Sequence, residues 1–300
     1  MYILPRAVSS VGAALAALPL VLGAPVTPGL APQAAAAQDQ TTLASPQPLP
    51  TAQINGVVWD QTIVGNVVYV VGEFSKARPA GSPKEQNESP RSNAMAYDIT
   101  TGELLDWAPQ LNAAANAIEA SPDGSTLYIG GKFTSVNGQP ASRLAAVDTA
   151  GQHKPLNGGT PGGAVSPNDT VRDLELSPDG STLYMAGLFT QVNDLERLRA
   201  AAVDLKTQQV TNFAPQVDDD SEVRAITVAA DGSAVAIGGS FETVEGSSDA
   251  YGMAILEKDG ALRQTNLTTD IKNAGSMSGI MSLKSDSKGL YGTAYSRQGR

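Results

Sequence analysis

The chain has 300 residues, with 30 glycines, 19 prolines, one histidine, no cysteine and a formal net charge of −10. The missing cysteines exclude disulfides and thiolate chemistry, and a single histidine excludes a histidine-built metal site. An acidic chain without a basic patch lacks the surface that neutralises phosphates, so no nucleic-acid partner is expected.

The N-terminus reads as an export signal. Arg6 supplies a positive start, residues 11–22 are apolar, and Ala35-Ala36-Ala37 before Gln38 fits an A-x-A cleavage site. The apolar run is too short and too rich in proline to span a bilayer. Residues 1–37 are therefore expected to be a signal peptide, leaving no transmembrane segment after cleavage. The mature protein is expected to be secreted or held at the cell surface. Residues 38–53, mostly Thr, Gln, Pro and Ala, read as a flexible lead-in.

From there one segment recurs. Val67 to Phe74, Thr126 to Phe133, Thr182 to Phe189 and Ala234 to Phe241 share a pattern, and Gly289 to Tyr295 is a weaker fifth copy. Their terminal aromatics lie 59, 56, 52 and 54 residues apart. A tight turn precedes each run, as in Ser121-Pro122-Asp123-Gly124, and glycine there supplies the positive φ that a hairpin needs. A short apolar strand precedes each turn. After each run comes a polar loop, another apolar strand (Ala94 to Asp98, Leu144 to Asp148, Ala200 to Asp204, Met253 to Leu256) and a weaker fourth segment.

The expected fold is all-β: a β-propeller of four-stranded blades over 54–300, with blades near 54–110, 111–160, 161–217 and 218–270 and a partial one at 271–300. About four and a half blades make an incomplete ring. The natural product is therefore expected to run past Arg300, with apolar strands such as Val67 to Val71 exposed on the open faces. Glycine pairs inside strands (Gly130-Gly131, Gly238-Gly239) predict close approach of a neighbouring sheet. An insertion at Ser75 to Ser92 reads as an exposed loop, and a second excess lies in Leu156 to Thr170.

The frame Ser-Pro-Asp-Gly-Ser-Thr-Leu-Tyr-x-x-Gly-x-Phe, then Ala-Val-Asp, then Trp107-Ala108-Pro109 or Phe213-Ala214-Pro215, resembles the propeller repeats of secreted actinobacterial proteins. These are related to the delta-sixty repeat and similar to kelch and Y-V-T-N repeats. The resemblance spans about Val57 to Tyr295. It departs from kelch proper, because Phe213 stands where a tryptophan would recur. It implies blade architecture and no particular chemistry.

Counting five residues back from the turn gives a column of Asn116, Arg172 and Arg224. Such residues would ring one mouth of a propeller's channel and take an anionic or sugar ligand. The alternative is that each arginine pairs with a carboxylate of an adjacent blade. Asp218, Asp219 and Asp220 form the densest acidic run, a weak calcium candidate or else a solvated loop. Asp98, Asp148 and Asp204 are expected to cap turns, with Leu256 in their place in the fourth copy. His153 is aligned with Glu103 and Gln209 and expected at the surface. No catalytic residue and no cofactor beyond that possible Ca²⁺ is expected. The expected role is a non-catalytic binding module for a protein or glycan. The alternative is an extracellular enzyme, glycoside hydrolase-like or quinone-dependent dehydrogenase-like.

Overall fold

The computed structural model describes residues 49–159, 163–218, 221–263 and 278–296. By contacts the chain divides at Pro46/Gln47, and everything below concerns the second unit. The signal peptide, residues 38–48 of the lead-in, Asp219 and Asp220 lie outside the described residues.

The described chain is all-β, with one 3-10 turn at Ser248–Ala250. Among the described residues five larger antiparallel sheets follow one another, with three smaller ones beside them. Two of the smaller ones are the hairpins Ser135–Val136 with Gln139–Pro140 and Gln191–Val192 with Leu195–Glu196. Sheet 1 holds Val57–Val64, Val67–Glu73 and Ala94–Asp98, and sheet 2 holds Ala115–Ala120, Thr126–Gly131 and Leu144–Asp148. Sheet 3 holds Val171–Leu176, Thr182–Gly187, Ala200–Asp204 and Gln209–Val210. Sheet 4 holds Val223–Val228, Val235–Gly239 and Met253–Leu256, and sheet 5 holds Ser278–Asp286 and Gly289–Ser296. A true fourth strand appears only in sheet 3 among the described residues. In sheets 1, 2 and 4 it shrinks to single bridges: Tyr97 to Leu104, Val147 to His153 and Leu256 to Leu262.

Those bridges correct two alignments. His153 matches Leu104, Val210 and Leu262 rather than Glu103 and Gln209, and it is half-buried. In the fourth copy Leu256 pairs with Val235 as Val203 pairs with Leu183, so Glu257 takes the place of the capping aspartates. The turns in sheets 2 and 4 are one residue shorter than those in sheets 1 and 3, which hid the register.

Each first strand carries a β-bulge at the same point. The extra residues are Trp59, Asn116, Arg172, Arg224 and Met281. A bulge adds a residue, bends its strand and re-aims a side chain. Opposite it the second strand has glycine in sheets 1 to 4 (Gly72, Gly131, Gly187, Gly239) and Ala294 in sheet 5. A Cβ at Gly72, Gly187 or Gly239 would overlap the carbonyl oxygen of Val57, Thr170 or Glu222.

The first strands lie side by side in chain order, and apolar clusters fill the seams. Phe133, Phe189 and Phe241 are fully buried. The seams alternate in kind. Between sheets 1 and 2, Asp60 Oδ2 accepts the Ile118 N–H at 2.8 Å; between sheets 3 and 4, Asp173 Oδ2 accepts the Ile226 N–H at 2.8 Å. In the other two seams alanine replaces aspartate and glycine opens the facing strand. A Cβ on Gly130 would stand 2.5 Å from Val171 Cγ1, and one on Gly238 would stand 2.6 Å from Ile280 Cγ2. The expected close approach of a neighbouring sheet thus occurs at these two glycines.

Two expectations about sheet 1 change. The insertion after Phe74 is not simply a loop: Lys76–Arg78 and Ser89–Pro90 form a small sheet with Gln53–Ile54. With Ala52 and Ala77 this sheet covers Val68, Val70, Met95 and Tyr97, so Val68 to Val71 are buried. The lead-in therefore ends before Ala52. What stays exposed at this end is the first strand, at Val57, Val58, Trp59 and Ile63.

Candidate functional site

The bulge row is the first candidate. In it Asn116, Arg172 and Arg224 are joined by a chain of contacts. Asn116 Nδ2 donates to the Val171 carbonyl at 2.8 Å. Arg172 Nε lies 2.5 Å from Glu222 Oε1, and Arg224 Nη2 lies 2.8 Å from Glu222 Oε2. Arg224 also reaches Met281 Sδ at 3.2 Å and stands over the Tyr295 ring, 5.4 Å from its centroid, within cation–π range. Both arginines thus share one carboxylate, and each side chain stays partly exposed. Trp59, 56% exposed, occupies the same bulge position in sheet 1.

Three residues further along each first strand lies a second column: Thr62, Glu119, Glu175, Thr227 and Lys284. Lys284 Nζ donates to Glu175 Oε2 at 2.7 Å, and Thr227 Oγ1 to Glu175 Oε1 at 3.4 Å. Asp60 and Asp173 belong to the same electrostatic cluster. Burial, and then the neighbouring Glu175, push the Glu119 carboxyl up to about 7. Asp173 is also pushed up to about 7, by burial, against the opposing pull of the Ile226 N–H and Lys284. Asp60 is raised by burial, and the Ile118 and Gln61 N–H groups pull it back. Burial lowers the Lys284 ammonium, but Glu175 and the other acids outweigh it and hold it above the usual range. Asp60 and Asp173 hold backbone N–H groups across seams, whereas Glu119 accepts no hydrogen bond among the described residues. The cluster can bind or release a proton near neutrality.

The acidic run has a structural part. Asn112 Oδ1 accepts the N–H groups of Thr134 and Ser135, and Asn168 Oδ1 accepts those of Thr190 and Gln191. Asp218 stands in the same place in the fourth repeat, and its Oδ2 accepts the Glu242 N–H at 3.0 Å. One oxygen of the calcium candidate is therefore already engaged in clamping a loop. Among the described residues no group of three or more acids or histidines is arranged to hold a metal ion.

The capping aspartates do cap. Asp98 Oδ1 accepts from the N–H groups of Thr100 and Thr101, Asp148 Oδ1 from those of Ala150 and Gln152, and Asp204 Oδ1 from that of Thr207. Glu257 instead forks onto Arg263, at 2.7 and 2.8 Å.

A cleft of about 640 Å³ opens between sheets 4 and 5, lined in part by Thr227, Asp231, Ala236, Ile255, Ser285 and Leu290. No helix among the described residues is long and apolar enough to cross a membrane. No protein-family model matches the chain, and no curated protein matches it in sequence.

Proposed function

We propose that the five sheets are blades of a β-propeller-type module, secreted or held at the cell surface, which binds a carbohydrate chain through its bulge row without transforming it. One observation carries this reading: the same bulge in every first strand brings Trp59, Asn116, Arg172 and Arg224 into one row. Planar, hydrogen-bonding side chains beside exposed aromatic rings suit a ligand with many hydroxyls and apolar sugar faces. Glu222 orients both arginines, which lowers the entropy lost on binding.

Affinity electrophoresis against a panel of neutral and acidic polysaccharides tests this. Retardation by at least one polysaccharide, weakened about tenfold by Trp59→Ala or Arg172→Ala, is expected. Retardation by none, or retardation insensitive to both changes, overturns the reading.

A second reading, a glycoside hydrolase-like enzyme, is favoured by one observation: Glu119, Asp173 and Glu175 gather around Lys284, and burial pushes the carboxyls of Glu119 and Asp173 up to about 7, the range a general acid needs. Hydrolysis of aryl glycosides that disappears in Glu119→Gln would replace the binding reading with this one.

A further inference from the structure

The middle of each second strand carries a column of tyrosines with one exception. Tyr69, Tyr128, Tyr184 and Tyr291 each pair across the strand with the residue three beyond the bulge. The fourth sheet has Ala236 there, paired with Thr227. Where a further sheet follows, the tyrosine is buried in the seam. Tyr184 shares an apolar cluster with Val228 and Val235 of sheet 4, and its ring meets Phe213 edge-on at 5.2 Å. The matching residues for Ala236 are Ser285 and Leu290 of sheet 5, and both line the 640 Å³ cleft. The cleft is thus the space a tyrosine ring fills in the sister seams.

The polar end of that space is also in place. Three of the four tyrosines, Tyr128, Tyr184 and Tyr291, have an aspartate of their own turn as an electrostatic neighbour; the turn before Tyr69 has none. Tyr291 Oη stands 3.3 Å from Asp286 Oδ1, and the Asp123 and Asp179 charges act on Tyr128 and Tyr184. In the fourth sheet the turn aspartate is Asp231, which lines the cleft, and its Oδ1 accepts the Ser233 N–H. The cleft has Ala236, Ile255 and Leu290 on its apolar wall and Asp231 on its polar side, where Asp286, Arg263 and Lys288 also line it; wall and carboxylate together match a ring with a hydroxyl at its tip.

We propose that the seam between sheets 4 and 5 is a binding site for a phenol-class ligand, whose ring takes the position of the missing tyrosine and whose hydroxyl donates to Asp231. The apolar wall gives a ring burial and dispersion contacts. The hydroxyl adds selectivity, because a ring without one leaves the carboxylate unused. This site is separate from the bulge row, and its test does not depend on that reading.

The experiment is titration of the purified protein with p-cresol and with toluene, followed by ligand-observed NMR. Saturable p-cresol binding, with toluene about fivefold weaker, is expected. Ala236→Tyr should abolish binding of both and raise the thermal midpoint, because the ring is then supplied from within. Ala236→Leu, a smaller filling, should weaken both and decides the matter if Ala236→Tyr does not fold. Asp231→Asn should erase the preference for p-cresol and leave toluene unchanged. No saturable binding of either probe, or undiminished binding in a folded Ala236→Tyr or Ala236→Leu, overturns the site. Equal affinity for the two probes, or a preference that survives Asp231→Asn, overturns the phenol assignment.

Discussion

Lys284 in sheet 5 donates to Glu175 in sheet 3 at 2.7 Å, across 109 positions of sequence and past the first strand of sheet 4. The row of first strands therefore curls, and acids from sheets 1, 2 and 3 gather around one cation from sheet 5. Asp60 in sheet 1 is affected by the same lysine.

That gathering sets a pH dependence. Glu119 and Asp173 keep their protons up to about 7 in the fold and release them near pH 4 when unfolded. Between those values the folded state binds more protons, so stability falls as pH rises. At the acid end, the Ser121 and Ser177 hydroxyls hold Asp123 and Asp179 down to about 2. That contribution is present above pH 4 and is lost as pH drops toward 2. Stability should therefore peak between pH 4 and 5 and decline toward pH 8. Urea midpoints measured from pH 3 to 9 check this, and Glu119→Gln should flatten the decline. A midpoint at pH 8 equal to or above that at pH 5 contradicts it.

Phe133 and Phe189 close equivalent strands and are fully buried. Truncating either to alanine should cost about 3–5 kcal/mol through lost burial and the cavity left behind. Half-buried His153, whose Nδ1 sits 3.4 Å from Gln139 Oε1, should tolerate His153→Ala for under about 1 kcal/mol. Denaturant melts of the three variants should separate into these two groups.

The two glycine columns should respond differently. At Gly187 an added Cβ meets the backbone carbonyl of Thr170, which cannot move without breaking the bulge. Gly187→Ala should cost at least about 3 kcal/mol. At Gly130 the obstacle is a side chain, the Cγ1 methyl of buried Val171, rather than a backbone carbonyl, so Gly130→Ala should cost less, about 1–3 kcal/mol. Equal losses in thermal melts would mean that the bulge glycine is not set by its carbonyl neighbour.

The two ends of the row differ from its middle. Tyr69, Tyr128 and Tyr184 are buried, whereas their counterpart Tyr291 is 52% exposed. Val58 and Ile63 at the far end are exposed as well. Contiguous apolar surface of this kind drives association. Light scattering should give a mass that rises with protein concentration, and Ile63→Lys with Tyr291→Lys should reduce that rise. A mass fixed at that of one chain at all concentrations contradicts this.

Much of the architecture was legible because turns and apolar runs recur at nearly fixed spacing, and five residues back from the turns of sheets 2, 3 and 4 does land on the bulge residues Asn116, Arg172 and Arg224. The acid–lysine cluster was not legible. Its members are of different types in different repeats (Thr62, Glu119, Glu175, Thr227, Lys284), so no repeated letter marks the column. The available signal was one polar residue opposite each second-strand tyrosine. Asp218 read as acidic rather than structural because its equivalents are asparagines, although one carboxylate oxygen clamps a loop as the amide oxygen does. The cap over sheet 1 was missed because the segments that build it, Gln53–Ile54 and Lys76–Arg78, are too short and polar to register as strands.

The alternating seams have a consequence for how such a chain can be cut and rejoined. An aspartate clasp needs an isoleucine N–H across from it, and a glycine gap needs a bulky neighbour to fill it. Trading one repeat for the next would set Ala117 where Asp60 is needed and Val71 where Gly130 leaves room. The smallest exchangeable piece is a pair of repeats, and a recombinant library of this chain should yield folded members only where the crossovers fall an even number of repeats apart.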